Sequence, residues 1–404
     1  MSNIALHRPG RVALLIALLV AVCGVQFARA QTFSMLYSFT GKSDGSIPKA
    51  GLVADSAGNL YGTTSGGGDL SACNKQGCGV VFKLDTAGTY TVLHAFTGAP
   101  DGSNPYAGLT IAGTGNYVGS TSGGGSMDNG AIFMIDTTGS ETILHSFGIN
   151  DGQTPEAGLT RGTGGDLYGT ATAGGVRSSF CGGGCGVVYK TRTSGVLTVL
   201  HNFVGGSDGI TPQSAPAVDA SGNVYGTTVT GGTGPCTFAG PGCGIIYKLD
   251  PSGIETILHT FVQTDGASPV GGPTLDAAGN LYGTTFTGGE FDFGVVYKVD
   301  TSGTFSVLYS FTGGEDGSQP SAGVALDNAG NIYGTTQNGG SKTNCPFGCG
   351  VVFRIDSVGT YQVLHRFSFN DGAFPQAPLL LSHGAFYGTT AGGATPGVIF
   401  KVTP

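Results

Sequence analysis

A four-residue phrase returns seven times along this chain, and its spacing leaves few folds open. Tyr-Gly-Thr-Thr begins at Tyr61, Tyr225, Tyr282, Tyr333 and Tyr387, with variants at Tyr117 (Tyr-Val-Gly-Ser-Thr) and Tyr168 (Tyr-Gly-Thr-Ala), 51 to 57 residues apart. Three more phrases keep step with it. Runs like Gly-Val-Val-Phe-Lys-Leu-Asp follow each tetrad, first at 79–85 and last at 397–402. Relatives of Val92-Leu93-His94-Ala95-Phe96 form a third set. Asp-Gly-x-x-Pro, first at Asp44, returns at Asp101, Asp151, Asp208, Asp265, Asp316 and Asp371. A constant period of this size marks supersecondary units stacked on one another.

Each unit reads as four strands, A to D; in the first complete unit these are 51–54, 60–64, 80–84 and 90–96. The A–B link, Asp55-Ser56-Ala57-Gly58-Asn59, and the C–D link, Asp85-Thr86-Ala87-Gly88, carry the Asp, Asn and Gly that tight hairpins need. Nearly continuous apolar strands suit sheets covered on both faces. Four-strand units with a period near fifty predict an all-β, seven-bladed propeller of antiparallel blades. A lone D-type strand at 33–39 opens the repeat region and a C-type strand at 398–402 closes it, so pairing of the two is expected to complete blade seven. An open solenoid needs caps, and the repeat shows none. Strand A starts on small residues (Ala50-Gly51, Ala107-Gly108, Ala157-Gly158, Gly271-Gly272, Ala322-Gly323), as an innermost strand crowded around an axis requires.

Glycine accounts for 76 of the 404 residues, which alone admits disorder, but disorder goes with low hydrophobicity and high charge. Here only 10% is charged and the apolar residues fall in short β-branched and aromatic runs. Residues 1–30 read as a secretory signal peptide: Arg8 and Arg11, an apolar run from Val12 to Val22, and Ala28-Arg29-Ala30 before Gln31. Cys23 raises a lipoprotein as the alternative, against which Val22 stands where a small residue is wanted. Residues 31–404 then form the propeller, secreted to the periplasm or beyond, with no membrane span. They retain 14 basic against 25 acidic side chains and no basic cluster, so no nucleic-acid footprint is present.

Eight further cysteines come as close pairs, Cys73/Cys78, Cys181/Cys185, Cys236/Cys243 and Cys345/Cys349, each in a B–C loop. In an exported chain they are expected to be four local disulfides. The rival reading is zinc; it needs four ligands, and only blades three and four are neighbours that both carry a pair.

Function is less legible. B–C and D–A loops share one face of a propeller, and binding residues favour loops held by a rigid scaffold. Candidates at the start of strand A, where residues differ from blade to blade, are Lys49, Tyr106, Glu156, Gln213 and Gln376. Off-pattern acids of the same face are Asp69, Asp128, Glu290, Asp292 and Glu315. A glycosidase needs two carboxylates about 5 to 10 Å apart, which spacing alone does not establish. His94, His145, His201, His259 and His365 share one strand-D position, filled by Tyr37 and Tyr309 elsewhere. Such recurrence points to scaffold, with a hydrogen bond between blades that a Tyr hydroxyl imitates. His383 is off-pattern, in an A–B turn on the other face, and no catalytic triad assembles. The Asp-Gly-x-x-Pro aspartates either accept backbone N–H bonds in their turns or offer a carboxylate ring to a cation or sugar. No metal site and no cofactor is expected.

Taken together, the Tyr-Gly-Thr-Thr, Gly-Gly, Gly-Val-Val-Phe-Lys-Leu-Asp and Val-Leu-His-x-Phe phrases resemble the GloVer tandem-repeat proteins of bacteria over residues 33 to 403. The resemblance implies a secreted or surface-attached protein of propeller type, and it brings no established activity or catalytic residues. Many relatives carry a C-terminal anchoring segment; here the chain ends at Pro404, so free export is expected. The expected role is a binding or interaction module for an extracellular glycan or a protein partner. The alternatives are a polysaccharide hydrolase or lyase acting through loop-face carboxylates, and a structural envelope protein without a small ligand.

Overall fold

The computed structural model describes residues 31–237 and 240–404. The expected signal peptide and Cys23 lie outside the described residues. Seven four-stranded antiparallel sheets follow one another, and each is a blade, numbered here by the order of its tetrad. In blade 1, Val53–Ala54, Leu60–Thr64, Val80–Leu84 and Tyr90–Ala95 pair in that order, with Gly62 opposite Phe82 and Val81 opposite His94. Blade 7 is assembled from both ends of the repeat region. Thr32–Ser38 pairs antiparallel with Val398–Thr403, Phe33 opposite Val402 and Ser38 opposite Val398.

The recurring phrases are the chemistry of the blade junctions. The first hydroxyl residue of each tetrad reaches out of its own sheet and donates to a carbonyl at the inner strand of the next blade. Thr63 donates to Ala107, Ser120 to Ala157, Thr170 to Ser214, Thr227 to Pro269, Thr284 to Ala322, Thr335 to Ala377 and Thr389 to Ala50, at 2.8 to 3.3 Å. The last of these joins blade 7 to blade 1. The glycine before it is required by close packing: a Cβ on Gly62 would sit 2.6 Å from the Phe82 ring. The tetrad tyrosine secures the A–B turn, as when the Tyr61 hydroxyl donates to Asp55 at 3.1 Å. Inner strands come close enough to need small residues, since a Cβ on Gly323 would lie 2.5 Å from the Gly272 carbonyl oxygen.

Apolar burial lies between blades. One cluster joins Tyr61, Val81 and Phe96 of blade 1 to Leu109, Tyr117 and Phe133 of blade 2. At the junction of blades 7 and 1, Phe39 and Ile399 pack with Leu52, Leu60, Val80, Phe82 and Leu84. The phenylalanine that ends each strand-D phrase (Phe39, Phe96, Phe147, Phe203, Phe261, Phe311, Phe367) is wholly buried, and each such ring contributes about 1.5–3 kcal/mol.

Candidate functional site

The D–A and B–C loops are tied together on one face by a device repeated at every junction. The residue before each proline of Asp-Gly-x-x-Pro is left-handed without being glycine: Ile47, Asn104, Thr154, Thr211, Ser268, Gln319 and Phe374 have φ between 51° and 62°. Such backbone costs about 1–3 kcal/mol and persists only where its surroundings fix it. Here both backbone groups are fixed. The Thr154 N–H donates to the Asn129 carbonyl of blade 2 at 2.9 Å, and the Thr154 carbonyl accepts from Thr172 of blade 3 at 3.3 Å. At the closing junction, the Ile47 N–H donates to Pro396 at 2.7 Å. Strand A therefore enters every blade from the same position, and the first residue of that entry faces the axis.

Around the axis runs a channel of about 690 Å³, lined by all seven inner strands. Its mouth carries one side chain per blade: Lys49, Tyr106, Glu156, Gln213, Val270, Ser321 and Gln376. All five channel-mouth residues singled out in the sequence meet here, and Val270 and Ser321 complete the ring. The Gln213 Nε2 donates to Glu156 Oε2 at 2.6 Å, and the Lys49 ammonium lies 4.8 Å from the centre of the Tyr106 ring. Four of the seven positions are thus a paired sequence of amine, phenol, carboxylate and amide; the other three are the Val270 alkyl group, the Ser321 hydroxyl and the Gln376 amide. Glu156 is the only carboxylate among the described residues that line the channel. Two carboxylates facing each other across a substrate are not assembled there.

Asp69, Asp128, Glu290 and Asp292 lie in B–C loops away from the channel lining. Two of them serve their own loops, and Asp292 is tied to the D–A loop that enters its blade. Asp69 accepts from the Ser71 backbone at 2.8 Å, Asp128 from the Gly124 N–H at 2.8 Å, and Asp292 from Gln263 Nε2 at 2.6 Å. Glu315 is exposed and lies 3.5 Å from Arg366. The eight loop cysteines form disulfides within their pairs, Cys73–Cys78, Cys181–Cys185, Cys236–Cys243 and Cys345–Cys349, each with Cα atoms 5.2 to 5.4 Å apart.

The recurrent histidine bonds differently from expectation. Its partner is the aspartate of the following Asp-Gly-x-x-Pro loop, not a group of the neighbouring sheet. His145, His201 and His259 lie 2.9 to 3.1 Å from Asp151, Asp208 and Asp265, and His94 and His365 lie 3.3 and 3.2 Å from Asp101 and Asp371. Tyr37 and Tyr309 donate to Asp44 and Asp316 at 3.0 Å, so the tyrosine hydroxyl does replace the imidazole. Each of these aspartates also accepts a backbone N–H, from Thr40, Thr97, Gly148, Val204, Val262, Thr312 or Ser368. Contact between blades comes instead from the first position of the next strand D. There Tyr90 stacks on Tyr37, Phe305 on His259, Tyr361 on Tyr309 and Phe33 on His365, with centroids 3.7 to 4.1 Å apart. Two blades place a carboxylate at that position, Glu141 beside His94 and Asp101, and Glu255 beside His201 and Asp208. Burial, with the Asp101 charge, raises the Glu141 carboxyl; burial and neighbouring Asp208 push Glu255 up to about 8. Sequence reasoning passed over both glutamates, although aligning the repeats four residues before the histidine exposes them.

A sequence-family model for the Gloeobacter/Verrucomicrobia repeat matches residues 23–239 and again 236–404. Among solved structures, the extracellular domain of a protein described as a one-component system from B. thetaiotaomicron superposes with a TM-score of 0.57 at 11% identity. That match covers 91% of this chain and 39% of the other. A protein from Bacteroides uniformis described as a 6-phosphogluconolactonase gives 0.50 at 14% identity, covering 79% and 84%. At these identities the likeness is one of fold. No curated protein matches the sequence. Among the described residues, no helix is long and apolar enough to cross a membrane.

Proposed function

The chain belongs to the Gloeobacter/Verrucomicrobia repeat family, and from that premise we propose that it is an exported recognition module that binds an extracellular glycan at the channel mouth. One observation carries the reading. Around a scaffold whose junction hydroxyls, glycines and left-handed loop residues recur seven times, the axis-facing residue of strand A is different in almost every blade. Variation at one position, on a backbone that every junction holds in place, is what selective binding needs. The side chains suit a hydroxyl-rich ligand. Glu156 and the amides of Gln213 and Gln376 supply acceptors and donors, Lys49 supplies a cation, and the Tyr106 ring offers a face to a sugar. Glu156 and Gln213 already hold each other, so little side-chain order remains to be imposed on binding.

A hydrolase acting from this mouth has only one carboxylate to use, which places it second. The test is binding of the oxidised protein, residues 31–404, to a panel of soluble polysaccharides. Saturable binding to at least one polymer is expected, weakened at least tenfold in the double variant Glu156→Gln/Lys49→Met with an unchanged melting temperature. No binding across the panel ends the glycan reading. Binding that the double variant leaves intact removes it from the channel, and cleavage of a bound polymer replaces recognition with catalysis.

A further inference from the structure

We propose that two blade junctions, blades 1/2 and blades 3/4, are binding sites for a transition-series divalent cation, each built from one histidine and two carboxylates. The first comprises His94 and Asp101 of the strand-D end of blade 1 with Glu141 of blade 2. The second comprises His201 and Asp208 of blade 3 with Glu255 of blade 4. In each, one ligand atom from every residue lies within 4.8 Å of the other two.

The geometry is close to a coordination sphere. Around a tetrahedral centre with metal–ligand bonds near 2.0–2.2 Å, donor atoms stand roughly 3.3–3.6 Å apart. His94 Nε2 is 3.3 Å from both Asp101 oxygens. His201 Nε2 is 2.9 Å from Asp208 Oδ1 and 4.0 Å from Glu255 Oε1. Shifts of a fraction of an ångström bring these imidazole–carboxylate distances to that separation. The aspartates are already oriented from behind, Asp101 by the Thr97 backbone N–H and hydroxyl, Asp208 by the Val204 N–H, as ligating carboxylates commonly are. One imidazole with two carboxylates suits Zn²⁺, and three protein ligands leave a position for water.

Two independent features point to a missing partner. Oε1 of Glu141 and Oε1 of Glu255 are both shielded from solvent, and neither has a hydrogen-bond partner among the described residues. A buried carboxylate oxygen without a donor is unfavourable unless something positive meets it. The fold also supplies its own controls. The same position at other junctions holds Leu197, Phe305, Tyr90, Tyr361 or Phe33, and the four rings stack flat on the histidine or tyrosine. Three junctions lack that stacked ring; one has Leu197 beside His145, and the two with a carboxylate both contain histidine rather than tyrosine. A cation there bridges the outer strands of consecutive blades, remote in the repeat from the axis-facing residues.

The experiment is calorimetric titration of Zn²⁺ into tag-free, chelator-treated protein, with a visible spectrum of Co²⁺ as second readout. Two sites per chain are expected. Glu141→Gln and Glu255→Gln should each remove one site, weakening it at least tenfold, and the double variant should bind neither. Leu197→Glu places the missing carboxylate beside His145 and Asp151 and should raise the stoichiometry from two to three. Melting curves of the metal-free variants, expected to match the parent, separate lost ligation from lost folding. Absence of Zn²⁺ binding by the parent overturns the assignment, as does binding that both glutamine variants retain in full.

Discussion

The two faces of the ring are held by different means. On the turn face, most A–B and C–D hairpins are built around an aspartate that accepts backbone N–H groups two and four residues on, as Asp55 does from Ala57 and Asn59 and Asp85 from Ala87 and Thr89. These hairpins are self-contained and exposed. On the loop face the backbone is also held across each junction. The left-handed residue of each D–A loop bonds the B–C loops of both flanking blades, disulfides brace single B–C loops, and histidine–aspartate pairs tie strand D to the loop that follows it. A turn secured locally can be repeated without regard to its neighbours. A loop secured across a junction holds a side chain at a fixed place relative to the axis, and only that kind of rigidity serves a binding site.

Acid should break this comparison most strongly. Ten turn-face aspartates titrate below their ordinary range. Burial alone raises Asp55, but bonds from the Asn59 side chain and backbone, the Tyr61 hydroxyl and the Ala57 N–H outweigh it and hold the carboxyl down. The same direction applies at Asp85, Asp136, Asp166, Asp219, Asp250, Asp276, Asp300, Asp327 and Asp356. A carboxyl depressed on folding stabilises the fold above its unfolded value, about 3.9, and that stabilisation is lost as the pH falls below it. Between about pH 4 and pH 2, hydrogen exchange should therefore accelerate at turn amides such as Asn59 and Thr89. On the loop face Asp44, Asp69, Asp208 and Asp371 are also held low. Acceleration there should be confined to the N–H groups they hold, such as Thr40, Val204 and Ser368, while the backbone bonds across junctions, such as Thr154 to Asn129, stay protected. Equal loss on both faces would end the distinction.

Next in size is a pair of glycine substitutions with the same backbone demand. Gly77 on the loop face and Gly88 on the turn face have φ of 74° and 87°. A Cβ at Gly77 would meet the Gly67 carbonyl oxygen at 2.0 Å, whereas nothing lies within 4 Å of one at Gly88. Gly77→Ala should cost more than about 3 kcal/mol, because backbone must move, and Gly88→Ala about 1–2 kcal/mol, the left-handed penalty alone. Denaturant midpoints decide it. Replacing Cys181 and Cys185 together by serine opens a loop with a separation of 4 residues and should cost about 2 kcal/mol on the chain-entropy account, with turn-face exchange unchanged. The smallest effect has the opposite sign. Thr154→Gly relieves a β-branched residue at φ 54° and should stabilise by about 1 kcal/mol; a loss would mean that the threonine side chain holds the junction.

The ring, its strand count and its small inner strand were legible because each rests on a local phrase repeated in step. Lys49, Tyr106, Glu156, Gln213 and Gln376 were legible for the converse reason: they vary where their neighbours do not. What could not be read was which groups meet across a junction. His94 was expected to bond a neighbouring blade, yet it bonds Asp101 seven residues on, and the group from the next blade is Glu141. That pairing depends on how far each blade is turned against the last, an angle no repeat spacing encodes. Asp69, Asp128 and Asp292 looked free for a similar reason, since the backbone and amide donors that engage them come from loop conformations rather than sequence patterns.

Blade 7 closes on blade 1 through the same hydroxyl-to-carbonyl bond and the same left-handed residue as every other junction. The mouth therefore has no first member. Its seven side chains spell a circular word, Lys-Tyr-Glu-Gln-Val-Ser-Gln, in which each letter is carried on an exchangeable cassette of one repeat. Duplication or exchange of repeats within a gene rewrites such a word one letter at a time, without renegotiating the frame that displays it. New preferences can arise by shuffling cassettes, and stability is spared because every cassette ends in the same fasteners.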